Sequence, residues 1–253
     1  MKRETFFPMP WGGMAFSEDQ NAGNPFIFLH GTGCDSVDWQ ETFACLDGGI
    51  RTVAVDFRGH GSSDVPQGRF TIEDLADDVW ALIEMLGCQR PVFVGHSLGG
   101  MVAMALARKR EKIGGLVLLE GWSTLSCATR AFRGDRMFGS LPPKATAAIR
   151  SKSADTKSRF SDLEWQFFWE SVKAFDATGF LKATRVPIWE VYGDAGRTNE
   201  SERLLLVPAR GNIFWHWVKG AGHYLPHESP AQVAGICHQA LKHVVHGNER
   251  RLD

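Results

Sequence analysis

The stretch that most constrains this chain is Gly95-His96-Ser97-Leu98-Gly99-Gly100, because of what flanks it. It follows the apolar run Pro91-Val92-Phe93-Val94 and opens onto Met101-Val102-Ala103-Met104-Ala105-Leu106-Ala107, a helix-forming run. A buried strand passing straight into a helix at Gly-x-Ser-x-Gly belongs to α/β layering. The reversal at Ser97 is so sharp that the residues two positions away must be nearly free of side chain, as Gly95 and Gly99 are. Such a turn exposes the Ser97 hydroxyl and sets the Leu98 amide at a helix N-terminus, where it stabilises developing negative charge.

The rest of the chain fits that layering. Apolar runs at Phe26-Leu29, Thr52-Asp56, Val92-Gly95, Leu116-Glu120, Ile188-Tyr192 and Ile213-Val218 read as strands of a mainly parallel sheet, with Met14-Ser17 as an antiparallel edge. Helices are expected at Ile72-Leu86, Leu98-Arg108 and Pro230-Val245; the first carries Ile72, Leu75, Val79, Leu82, Ile83 and Leu86 on one face. Between about Gly121 and Arg185 no strand pattern occurs, only amphipathic helical spacing and Pro142-Pro143. The expected organisation is a core of residues 1–120 and 186–253 with a helical cap inserted at 121–185. Most of its aromatic set, Trp165, Phe167, Phe168, Trp169 and Phe175, is expected in the cap's own core, with one or two residues lining a pocket.

Composition removes several alternatives. A net charge of −1 gives no field for nucleic acid or an anionic membrane, and no apolar run reaches bilayer-spanning length. Met1-Lys2-Arg3-Glu4-Thr5 has no apolar signal core. The five cysteines, Cys34, Cys45, Cys88, Cys127 and Cys237, are scattered and odd in number, which fits a reducing cytoplasm better than a disulfide scaffold or a metal cluster. No His-Glu-x-x-His, phosphate loop or dinucleotide fingerprint is present, so no metal and no cofactor is expected.

A serine hydroxyl needs a base. Of nine histidines, His223 is the candidate: it lies in Lys219-Gly220-Ala221-Gly222-His223-Tyr224-Leu225-Pro226, just past a strand, at the sheet edge where Ser97 emerges. The elbow, the His223 loop, His30-Gly31-Thr32-Gly33 and Asp56-Phe57-Arg58-Gly59-His60-Gly61 together resemble the α/β-hydrolase superfamily, in the expected order and over nearly the whole chain outside the cap. The resemblance implies an α/β-hydrolase fold and a third group, a carboxylate that orients His223. In much of that family this acid lies three residues beyond a glycine after the strand following the cap. Here Val191-Tyr192-Gly193-Asp194-Ala195-Gly196-Arg197 puts Gly196 there and Asp194 two residues early. A second location, used by dehalogenase-like members, corresponds to Glu120. Glu120 is favoured, with Asp194 the alternative.

By the same resemblance the Thr32 amide joins Leu98 in an oxyanion hole, while His30 braces that loop and Asp56, Arg58 and His60 are structural. Trp122 and Trp39 are candidate pocket walls, with plain packing the alternative for each. Serine at the elbow means that the chemistry of aspartate-based relatives does not carry over. The expected activity is hydrolysis of an apolar, small-to-medium carboxylic ester or lactone. The alternatives are cofactor-free oxygenation or lyase chemistry with His223 as base, and a ligand receptor with little turnover.

Overall fold

The computed structural model describes residues 4–249 except 20–22, 24, 47–49, 132–135 and 198–200. These residues form an eight-stranded sheet in the order β1-β2-β4-β3-β5-β6-β7-β8. The strands are β1 (Glu4–Met9), β2 (Gly12–Glu18), β3 (Pro25–Leu29), β4 (Arg51–Val55), β5 (Val92–His96), β6 (Gly115–Leu119), β7 (Ile188–Gly193) and β8 (Ile213–Val218). From β4 to β8 every pairing is parallel; β2 joins β4 antiparallel, as expected for Met14-Ser17. β1, absent from the sequence reading, pairs antiparallel with β2 and takes the edge that Met14-Ser17 was expected to hold. Pro8 interrupts its pattern, and the sheet edge is where a strand tolerates a residue with no N–H to donate.

The parallel strands alternate their side chains between two apolar layers. Ile27, Leu29, Phe93, Leu116 and Leu118 face α2 (Ile72–Met85) and α3 (Leu98–Lys109), whereas Phe26, Phe28, Val92, Val94, Val117 and Leu119 face α10 (Pro230–Glu249). Burial on both faces is what continuous apolar strands require. Thr71 and Asp74 close a capping box at the start of α2, so that helix begins where its apolar stripe does. Short helical segments at Ser36–Trp39 (a 3-10 turn) and Gln40–Ala44 (α1) follow β3.

Between β6 and β7 lie α4 (Leu125–Ala131), α5 (Pro143–Ser158), α6 (Asp162–Ala174) and α7 (Thr178–Ala183). Phe168 and Phe175 are buried in the layer that also holds α2 and α3, with Trp165 and Trp169 half-buried against it; Phe168 stacks on Phe70 at 5.0 Å. The α6 aromatics therefore fasten this insertion to the core.

Register aligns the carboxyl ends of the strands. Leu29 pairs with Gly95, His96 with Leu119, and Gly193 with Val218. The loops after β3, β5, β6, β7 and β8 consequently open along one edge, and every candidate reactive group lies on them. Among the described residues no helix is long and apolar enough to cross a membrane.

Candidate active site

Ser97 sits between β5 and α3 with φ 51° and ψ −113°, and its N–H donates to the Leu119 carbonyl at 2.9 Å. A side chain on either flanking glycine would collide with backbone. A Cβ on Gly95 would stand 2.4 Å from Gly99, and one on Gly99 only 2.1 Å from the Leu29 carbonyl oxygen. Ser97 is half-buried, whereas Leu98 is buried at the first helical position, where a backbone amide has no intrahelical acceptor. The loop after β3 closes against this turn: a Cβ on Gly31 would be 3.3 Å from Ser97 Cβ and 2.9 Å from His96 Nδ1. Half-buried Thr32 follows. His30 accepts the Phe57 N–H at Nε2 (3.0 Å), so its Nδ1–H donates to the Gly31 carbonyl (2.8 Å). The Asp56 carboxylate is engaged by the Ser36 and Ser62 amides, and Arg58 pairs with Asp78.

His223 is buried in the loop after β8. Its N–H donates to the Met137 carbonyl (2.8 Å), and its own carbonyl accepts from His96 Nε2 (2.8 Å). Burial holds His96 well below its ordinary pKa, and the nearby His223 adds to this, so His96 is neutral. The indole of Trp122 stacks on the His223 ring at 4.8 Å and 23°.

Glu120 follows β6 with φ 53° and is fully buried. Its Oε1 accepts the Gly193 N–H (2.9 Å), and its Oε2 lies 2.5 Å from Arg197 Nη2 and 3.6 Å from His223 Nδ1. Asp194 is exposed, and its Oδ1 accepts the Gly220 N–H at 2.6 Å. The structure thus brings Glu120 to His223, while the Asp194 carboxylate closes a turn between the β7 and β8 loops. Trp39 corrects an expectation. It is completely buried under the sheet, its ring 5.2 Å from that of Phe28, because the 3-10 turn swings it into the α10-side layer.

Three features escaped sequence reasoning. Arg197, from the loop expected to hold the acid, reaches Glu120 instead and lies over Tyr192 at 5.3 Å. Glu190, on β7, is buried and accepts the Tyr192 hydroxyl (2.7 Å); burial, with repulsion from Glu120, pushes its carboxyl up to about 8. Residues 137–141, not α6, lie against the His223 loop: Phe138 stacks on Tyr224 at 5.1 Å, and Met137 and Leu141 pack against a cluster of Cys34, Ile149 and Tyr224. Only the position of Arg197, four residues past a strand end, carried a signal. No group of three or more His, Cys, Asp or Glu suited to a metal occurs among the described residues.

The profile of the Alpha/beta hydrolase family matches residues 26–236. Among curated proteins, the AB hydrolase superfamily protein YisY of Bacillus subtilis (strain 168) is 32% identical over 162 residues, 62% of this chain; the chain spans 58% of that relative's length. Among solved structures, the N-acyl homoserine lactonase AidH complexed with N-butanoyl homoserine superposes with a TM-score of 0.77 at 17% identity, covering 96% of this chain and 97% of the other. A thermophilic esterase from Thermogutta terrifontis gives 0.69 at 23% identity, covering 96% and 99%. At these identities the two structures speak for the fold.

Proposed function

This chain belongs to the alpha/beta hydrolase family, and from that premise we propose that it hydrolyses a carboxylic ester or lactone of a small-to-medium apolar molecule through an acyl-enzyme on Ser97. The observation that carries this reading is the buried Glu120 carboxylate, 3.6 Å from His223 Nδ1, on the sheet edge where Ser97 holds its elbow. The lactonase and esterase among the structural neighbours give the substrate class its support.

In this mechanism His223 takes the Ser97 proton as the oxygen attacks the carbonyl, and Glu120 stabilises the imidazolium that forms. The Leu98 and Thr32 amides hold the oxyanion. His223 then protonates the departing alcohol; for a lactone that alcohol stays tethered to the acyl group. Water, deprotonated by His223, frees the acid. Residues 121–185 act as a cap over the core formed by 1–120 and 186–253, supported by the Met137 contact to His223 and by Ser153 abutting Gly33. Trp122 forms a wall beside the base. The free cysteines suit a reducing, cytoplasmic setting.

Turnover of p-nitrophenyl butyrate and of an N-acyl homoserine lactone tests the reading. Ser97→Ala and His223→Ala should each lose on the order of a thousandfold or more in kcat, as should Glu120→Gln, while Asp194→Asn stays within severalfold of the parent. Full activity in Ser97→Ala overturns the proposal. The position of Glu120 after β6 also suits direct deprotonation of a substrate by His223; oxygen uptake or C–C cleavage that survives Ser97→Ala would identify that chemistry.

A further inference from the structure

Glu120 Oε2 is shared by two groups of unequal kind, the Arg197 guanidinium at 2.5 Å and the His223 ring at 3.6 Å. We propose that Arg197 is a positioning residue of the triad, holding the Glu120 carboxylate at the sheet edge and sharing Oε2 with His223, so that the loop after β7 sets the working range of the base. The inference rests on the assignment of Ser97, His223 and Glu120 made above.

The physical need is plain. A base must be neutral to take the Ser97 proton, and in that form His223 gives no counter-charge to a carboxylate that is fully buried, where an unpaired charge is costly. Arg197, its side chain 2% exposed, supplies that charge at every stage. Gly193 N–H fixes the other oxygen, and the guanidinium is itself held over Tyr192 (5.3 Å) and Trp217 (5.8 Å). The loop after β7 therefore contributes the partner of Glu120.

Around the pair, the Glu228 carboxylate takes the Gly222 and Tyr224 N–H groups on either side of His223; the other neighbours are uncharged at neutral pH. His96 on β5 is kept neutral by burial, and Tyr224, next to the base, is pushed up by burial. On β7, burial and the neighbouring Glu190 raise Tyr192, and Glu190 stays protonated below about 8. Arg197 is the cation that meets Glu120 directly. Without it, the Glu120–His223 pair keeps its shared proton to higher pH. The base works only when neutral, so the acidic limb of the rate profile moves upward.

The test measures kcat/KM for p-nitrophenyl butyrate, and the rate of Ser97 labelling by a fluorophosphonate, against pH. Arg197→Met and Arg197→Gln should raise the midpoint of the acidic limb by about one pH unit or more, and Arg197→Lys should return it to the parental place. In a Glu120→Gln background, with labelling as the readout, Arg197→Met should produce no upward shift. Should Arg197→Met fail to fold, Arg197→Gln, which keeps a donor to Oε2 without the charge, decides. Coincident limbs for the parent and Arg197→Gln overturn the proposal while leaving the triad standing if Glu120→Gln is crippled. Parental rates in Glu120→Gln would instead overturn the assignment of the acid, and this inference with it.

Discussion

Ser97 and Glu120 share an unusual backbone state: each follows a parallel strand and each adopts a positive φ, 51° and 53°. Side chains resist that region, at about 1–3 kcal/mol per residue, so the surroundings must over-determine both. For Ser97 the glycines do so. Gly99→Ala would drive a methyl into the Leu29 carbonyl, an acceptor on a central strand that has no room to retreat. The expected loss is about 1–3 kcal/mol or more in urea denaturation. Gly235→Ala in α10, where a Cβ meets nothing within 4 Å, should be neutral or gain about 0.4–1 kcal/mol. The elbow was readable from spacing because its clashes lie within a few residues of Ser97 or against the adjacent strand. The conformation of Glu120 was not, since glutamate does not advertise a positive φ.

Secondary-structure elements far apart in the chain meet around Asp38. Lys152 on α5 reaches Asp35 (2.9 Å) and Asp38 (2.7 Å), and His227 on α9 (Leu225–Glu228) lies 3.1 Å from Asp38. One carboxylate thus ties the inserted helices to the segment following Thr32 and to the helix following His223. Burial alone would raise the Asp38 carboxyl, yet the contacts with His227 and Lys152 outweigh it and hold it well below the usual carboxylate range. A depressed carboxyl contributes stability that is present above its unfolded value, about 4, and is lost as the solution acidifies through the folded value. Lys152→Met should cost about 1 kcal/mol at neutral pH and speed amide exchange in α5 relative to α10. Equal protection in parent and variant would show that the tie contributes nothing. Periodicity located α2, α3 and α10, but no local pattern links positions 38, 152 and 227.

For the molecule as a whole, buried titrating groups set an optimum. Burial lowers His60 to about 3 and His96 well below its ordinary value, whereas the unfolded chain binds both protons below about 6.5. Their contribution is present above that pH and falls away as acid is added. Glu190 acts in the opposite sense: raised to about 8, it favours the fold at low pH and loses this as pH climbs from about 4.3 through 8. Each proton is worth about 1.4 kcal/mol per pH unit. His216, lowered by burial, joins the two histidines, and Asp78, raised by burial, joins Glu190. Three histidines against two carboxyls leave stability rising toward about pH 6.5, and Glu190 makes it decline beyond. Urea midpoints across this range should trace that dome, and Glu190→Gln should flatten the alkaline arm. A parent protein still gaining stability at pH 8 would refute the assignment.

What the amino-acid order determined by itself was the layered α/β architecture, the elbow at Ser97 and the loop bearing His223, since each depends on spacings of a few residues that backbone geometry converts directly into shape. Only the tertiary structure decided which carboxylate faces the imidazole, that Trp39 belongs to the core, and that Arg197 stands against Glu120. Those outcomes follow from strand register, which brings the ends of β6, β7 and β8 together although long stretches of chain separate them. Burial then makes each charge choose a partner that no local pattern names.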